Sequence, residues 1–411
     1  LIQQGWRSAS KVDGLGTDFE ALRLGCQVCQ QRINQGLHRC FVGLMLVKRT
    51  VWANSVAEWH MYVEMADDHS SSARLSHGKG RSASDWEAHL AGDVLKHVSR
   101  SFYITLQLLP KRVRGPICLG YLLARTSDTI ADTESVAAAE RLNFLQRFDA
   151  AVKGDEDVSE LHVALQNQFQ PLQTDPGETK LLDHTEEAFH WLGAVSDYEQ
   201  EVTRAVLDEI LLGQRLDCER FGDPGVLRHL PGSGELEEYT YLVAGSVGVF
   251  WTRLCFHHWD KFADESQETM LGWAKSYGRA LQLINVLRDL PKDLENGRCY
   301  LPIPGAQEGV QPSSEELIDV SRGWEERCQE QLEEAMCYCQ AVRPVRLRYA
   351  TVIPLLLAER TLAYLRQASW ETRKQGIKVS RDEVKTILKR GLVANLRRKR
   401  LRAYAIELRG V

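Results

Sequence analysis

"YLLARTSDTIADT", residues 121–133, is a mainly apolar run that carries an arginine and two aspartates. At 100° per residue Tyr121, Arg125, Asp128 and Asp132 stand at i, i+4, i+7 and i+11, so all four share one helix face. Most such spacings are salt-bridged helix surfaces, and this stretch alone is open to that reading. A second stretch weighs against it. In "GRALQLINVLRDLPKDLENGRCYLP", residues 278–302, Gln282, Asn285, Asp289 and Asp293 recur at steps of three and four in another apolar helix.

Two acidic faces suit a hard divalent cation. Mg²⁺ takes one or two carboxylates, several waters and the phosphate oxygens of a substrate rather than an all-protein cage. Carboxylates a turn apart on two facing helices hold such ions, and the ions turn a diphosphate into a better leaving group. Arg125, Arg288 and Arg298 offer planar donor forks for the same anion. With apolar walls around that polar end, the cavity fits a prenyl diphosphate.

Working outward, helical spacing recurs over 137–152, 178–219, 313–341 and 345–370, and alternating strands with hairpin turns are not evident. The expected fold is all-α, a single large helical bundle with a central cavity. Breaks are expected at "KGDEDVS" (153–159), "QTDPGE" (173–178), "FGDPG" (221–225) and "PIPGAQEGVQPSS" (302–314), each rich in helix-stopping residues. "SRDE" at 380–383 has capping-box spacing and should start the final helix. Residues 1–84 end in a polar, linker-like stretch and read as an extension that need not belong to the native product. Residues 85–390 form the helical domain. Residues 391–411 form a basic helical tail, read as a solvated face with a peripheral membrane-surface contact as the alternative.

Composition limits the function classes. Of the 411 residues, 51 are Lys or Arg and 56 Asp or Glu, a net charge of −5, which gives no general nucleic-acid surface. Ten cysteines at irregular spacing read as reduced thiols of a cytoplasmic protein. Apolar runs such as "VIPLLLA" (352–358) fall far short of the roughly 20 residues that span a bilayer, so the chain reads as soluble or peripheral. Cys26, Cys29, His38 and Cys40 form a zinc-like set without a second CxxC, and ordinary thiols are the plainer reading. "FHHWD" (256–260) reads as a helix end rather than a metal centre. "DGLGTD" near the start lacks the strand–helix context of a nucleotide loop.

Four ordered stretches resemble the squalene and phytoene synthase family, the head-to-head prenyl diphosphate synthases: "SRSF" (99–102), "YLLARTSDTIAD" (121–132), "YTYLVAGSVG" (239–248) and "QLINVLRDLPKDLENGRCYLP" (282–302). The resemblance implies a bundle of the isoprenoid synthase type, with Asp128, Asp132, Asp289 and Asp293 as Mg²⁺-site acids and Asn285 supporting the second pair. It places Ser99, Arg100, Ser101, Tyr121, Arg125, Gln282, Arg288 and Arg298 at the diphosphate end, and Tyr239 near the reacting carbons. Val243 and Gly248 fall in a small-residue wall for the isoprenoid, although Gly248 equally suits close helix packing and Tyr239 a structural role. Two farnesyl diphosphates would give squalene if NADPH supplies hydride; loss of a proton would give dehydrosqualene, or phytoene from geranylgeranyl diphosphate. "SRSF" with "DTIAD" is closer to the squalene branch and "GRCYLP" to the phytoene branch. A non-catalytic scaffold of the same fold is the rival from another class. One departure stands out: Lys292 replaces an acid the family commonly has, and Pro291 is expected to kink or end the helix before Asp293.

Overall fold

The computed structural model describes residues 82–98, 102–222 and 225–410. The chain divides between Gly78 and Lys79, and the description concerns the second unit. Ser99, Arg100 and Ser101, like the cysteine set at 26–40 and "DGLGTD", lie outside the described residues.

In chain order, α1 (Ala83–His89) continues through a π-turn (Leu90–Val94) into a last turn, Leu95–Val98. There follow α2 (Phe102–Leu108), α3 (Lys111–Asp132), α4 (Ala138–Lys153), α5 (Val158–Gln168), α6 (Pro176–Asp183), α7 (Thr185–Ala194) and α8 (Asp197–Phe221). Next, α9 (Ser233–Thr240) runs through a second π-turn (Tyr241–Gly245) into α10 (Ser246–His258). The last elements are α11 (Gln267–Glu295), α12 (Ser314–Ala341), α13 (Val345–Gln367), α14 (Trp370–Lys374), α15 (Arg381–Asn395) and α16 (Arg398–Arg409). Among the described residues the fold is all-α apart from a pair of two-residue parallel strands, β1 (Arg228–His229) and β2 (Arg298–Cys299), and an isolated bridge between Ala263 and Val342.

Local chemistry sets the boundaries. Gly154 ends α4 in the left-handed region at φ 91°, where glycine bears no Cβ penalty. Asp157 then starts α5 by accepting from the backbone N–H groups of Ser159 and Glu160 at 2.8 and 3.0 Å. The run 178–219 is not one helix. It breaks at His184 and again at Val195, and Ser196 with Glu199 forms a capping box that starts α8. "SRDE" does start a helix, the Ser380 hydroxyl accepting from the Glu383 N–H at 3.3 Å, but α16 follows it, so α15 is not the last.

α11 does not end at Pro291 but runs on to Glu295. Proline forfeits only its own N–H bond here, one turn from the helix end. Leu287, Leu290, Pro291 and Leu294 are all buried, which holds that turn against the core. Asn296 N–H then closes onto the carbonyls of Lys292 and Asp293, and β2 ties the chain down directly afterwards.

α11 is the central element, packing on α10, α12, α13 and the second π-turn. Backbones touch there. A Cβ on Gly248 would stand 2.2 Å from the Ala274 carbonyl oxygen, and one on Gly278 would stand 2.1 Å from that of Ala244. At Gly248 the close helix packing that its sequence allowed is present.

At the far end α16 buries Leu401, Tyr404, Ala405 and Leu408 while Arg397, Lys399 and Arg400 face solvent. Residue 391 lies inside α15. Arg409 makes a two-pronged contact with the fully buried Glu359, Nε to Oε2 at 2.9 Å and Nη2 to Oε1 at 2.7 Å. Arg409→Ala leaves Glu359 with only the Gln329 amide at 3.2 Å, so a loss of about 2–3 kcal/mol is expected in urea denaturation. Glu359→Gln, which removes the charge to be paired, should cost less.

Candidate active site

Four helices deliver the site. α3 packs on α8, α8 packs on α10 and the second π-turn, and both of these pack on α11. The acidic ends of α3 and α11 are joined by an ion pair between Glu134, just after α3, and Arg298, just after α11.

On α3, Tyr121 Oη donates to the Val98 carbonyl at 3.1 Å, so the phenol anchors the end of the α1 segment. Arg125 is clamped by Glu178 at the start of α6 and lies 3.8 Å from Asp128. Gln214 of α8 donates its amide to Asp128 Oδ1. On α11, Asn285 donates to Gln282 at 3.1 Å, and the Gln282 amide faces Tyr239 Oη at 3.4 Å. Arg288 is spent on its neighbour Asp289, with Nε to Oδ1 at 2.8 Å. Val243 of the π-turn packs on α8, its Cγ1 2.8 Å from where Gly213 would carry a Cβ.

Electrostatics ties these groups together. Burial, then the charge of Asp132, pushes the Asp128 carboxyl up to about 6. Burial also raises Asp132. Asp293 is pushed up to about 7 by burial and by Asp289, and Asp217 of α8 to about 6 by burial. Asp128 and Asp289 nonetheless keep 45% and 44% of their side-chain surface open. Asp128 thus combines an open side chain with desolvation by the protein around it, as a carboxylate in an acid-lined recess would. Tyr239, partly buried and beside Asp217, Asp132 and Asp293, is held well above the usual phenol range by desolvation and keeps its proton at neutral pH. Its ring stacks on Tyr300 at 4.8 Å and 21°.

Asp132 and Asp293 occupy the last turns of α3 and α11, and Asp217 comes just before that of α8. Helix C-termini carry partial negative charge, so carboxylates there repel the backbone as well as each other. Buried Asp217 Oδ1, Gln214 Oε1 and Arg298 Nε have no hydrogen-bond partner in the protein. Unpaired buried polar atoms of both signs beside an acidic cluster fit a bound cation and its anion. The acids Asp128, Asp132, Asp217, Asp289 and Asp293 are the groups available to hold Mg²⁺.

Sequence reading missed Glu178, Gln214, Asp217 and Tyr300. For α8 the signal was present: Gln214 and Asp217 continue the buried stripe Leu207, Ile210, Leu211 toward Phe221, a place where polar residues need a reason. Glu178 had no such signal, because α6 meets α3 only in the fold.

Residues 95–383 match the family model described as squalene/phytoene synthase. Among curated proteins the chain is similar to the bifunctional lycopene cyclase/phytoene synthase of Blakeslea trispora, 27% identical over 228 residues, 52% of this chain and 32% of that protein. It is 24% identical to the squalene synthase of Homo sapiens over 212 residues, 51% of this chain and 45% of that protein. The chain thus spans about a third to a little under half the length of these relatives. Among solved structures it resembles TcSQS in complex with the ligand BPH1237, with a TM-score of 0.62 at 18% identity over 78% of this chain and 91% of the other. A dehydrosqualene synthase in complex with ligand gives 0.51 at 21% identity, over 76% and 97%. These likenesses establish the fold.

The raised carboxyls make stability depend on pH in an unusual sense. Against an unfolded value of about 3.9, Asp128 and Asp217 at about 6 and Asp293 at about 7 bind protons more tightly when folded. Their contribution is present below pH about 4 and is lost as pH rises through 6–7. Mg²⁺ held by these acids would offset that loss by binding the ionised forms. Thermal melts should therefore show a larger Mg²⁺-induced rise in Tm at pH 7.5 than at pH 5.5; an equal rise at both would contradict the assignment.

Proposed function

We propose that this chain, which belongs to the squalene/phytoene synthase family, joins two prenyl diphosphates head to head in the acid-lined recess. The observation that carries the reading is that two acidic groups distant in sequence, on α3 and α11, are coupled through Asp217 and tied by the Glu134–Arg298 ion pair, beside buried polar atoms that no protein group satisfies. Asp128, Asp132, Asp289 and Asp293 would hold Mg²⁺, with Asn285 beside them and Asp217 added to the set. Bound there, Mg²⁺ neutralises diphosphate and makes it a better leaving group.

The chain's own residues do the rest. Arg298 and Arg125 flank the acids with guanidinium forks suited to diphosphate oxygens. Arg125 is held in place by Glu178, and Tyr121 fixes the segment leading to residues 99–101. Tyr239 is a proton donor rather than a base, because its phenol stays protonated; it can hydrogen-bond a departing diphosphate oxygen. The stacked rings of Tyr239 and Tyr300 offer π faces to a carbocation, and the buried helices around them exclude water while it exists.

The finer reading is the condensation of two farnesyl diphosphates, through a cyclopropylcarbinyl diphosphate, to squalene, with NADPH as hydride donor. Formation of dehydrosqualene or phytoene is the second reading, supported by "GRCYLP", whose Tyr300 stacks on Tyr239. Incubation with farnesyl and with geranylgeranyl diphosphate, each with and without NADPH, separates them. Squalene formed only with NADPH supports the first. Phytoene formed regardless of NADPH sinks it and leaves the head-to-head chemistry in place.

Asp128→Asn and Asp289→Asn should each lower turnover by about 10²-fold or more at saturating Mg²⁺ while circular dichroism stays unchanged. Near-normal rates in both would remove the metal assignment and favour a non-catalytic scaffold. Tyr239→Phe should reduce kcat more than it raises KM, since the hydrogen bond it offers strengthens as charge develops.

A further inference from the structure

A separate cluster lies at the junction of α1, α6 and α7, and it shares no residue with the acidic recess. His89 ends α1, His184 stands between α6 and α7, and Glu187 follows it by three residues on the same face of α7. Glu187 Oε2 is 3.0 Å from His89 Nε2 and 2.9 Å from His184 Nδ1. The three donor atoms all lie within 4.8 Å of one another. The two imidazoles meet edge to face at 5.3 Å and 85°, so their nitrogens converge on the carboxylate instead of stacking past it.

From this geometry we infer that His89, His184 and Glu187 form a second metal site, for a borderline transition ion such as Zn²⁺ and not for Mg²⁺. Two imidazole nitrogens and one carboxylate oxygen are the donors of three-ligand zinc sites, which leave a fourth position to water. Bonds of about 2.0–2.2 Å at tetrahedral angles place the donors roughly 3.4 Å apart, so the two carboxylate–imidazole distances have only to open by about half an ångström, and the imidazole nitrogens already lie within 4.8 Å of each other. The side chains are 33%, 24% and 24% exposed, which gives an ion a path from solvent. The backbone on both sides is fixed: Trp86, one turn before His89, is buried and stacks on His190, one turn after Glu187, at 6.0 Å and 23°. His162 stands beside the cluster with its Nδ1 buried and unpartnered, and burial holds its imidazole neutral despite nearby Glu186, Asp183 and Glu187. A neutral imidazole is the form that ligates or hydrogen-bonds a metal-bound water.

The ion's role is structural. α6 is eight residues long; its last residue precedes His184, and its first turn carries Glu178 onto Arg125. Pinning α1 to the α6–α7 corner fixes the helix that positions that arginine.

The test uses the full chain stripped of metal and titrated with Co²⁺, then Zn²⁺, in excess Mg²⁺. One equivalent of Co²⁺ with intense visible absorption, displaced by one equivalent of Zn²⁺, is expected. Asp128→Asn and Asp289→Asn should retain it. His89→Gln and Glu187→Gln, which keep bulk and polarity, should weaken it by at least about tenfold. Absence of a bound equivalent in the unaltered protein, unchanged affinity in both His89→Gln and Glu187→Gln, or loss in Asp128→Asn would each overturn the proposal.

Discussion

Negative charge gathered at helix ends and desolvated by the protein around it is the constraint from which the rest of the architecture follows. Asp132 and Asp293 sit in last turns, where the backbone already presents carbonyls, and Asp217 stands close behind. Left alone the cluster opposes folding: the carboxyls of Asp128, Asp217 and Asp293 rise toward neutral pH because nearby Arg125 or Arg298 does not offset burial. Such an arrangement is stable only where the surrounding packing over-determines it, and useful only where a multivalent cation arrives.

The packing does over-determine it. α11 is held on several sides, and at Gly248 and Gly278 the approach is so close that backbone atoms replace side chains. That contact fixes the axial position of the helix carrying Asp289 and Asp293 against the one carrying Tyr239. The π-turn at Tyr241–Gly245 follows directly, a wide turn of the kind that recurs at functional sites because it re-aims the residues before it. Tyr239 points into the recess, while Tyr241 turns outward to Glu209 and Arg279. Pro291 fits the same logic, since a buried proline near a helix end costs one hydrogen bond and gains core contact.

Cations and anions are treated differently in the two halves of the molecule. In the recess, hard oxygen donors stand among unpaired polar atoms, as an exchangeable cation and a diphosphate require. At the α1–α6–α7 corner two imidazoles converge on one carboxylate, a donor set suited to a borderline transition ion. Glu178 links the two, because it belongs to the short helix ending at that corner and holds the arginine of the recess. No helix among the described residues is long and apolar enough to cross a membrane.

What the sequence determined by itself was periodic: the all-α fold, the boundaries written in Ser, Asp and Gly caps, and the two acidic faces at three- and four-residue steps. Those are local properties, decided by backbone geometry and by neighbours within a turn or two. The tertiary structure decided everything that needed two helices at once. It showed that Asp217 and Gln214 join the acids from α8, that Arg288 is occupied by Asp289, and that Gly248 meets Ala274. It also carried α11 on past Pro291, because burial of Leu287, Leu290 and Leu294 outweighed a local preference worth a few kcal/mol. A sequence states which face of each helix is acidic; which faces look at one another is fixed by packing, which no single helix contains.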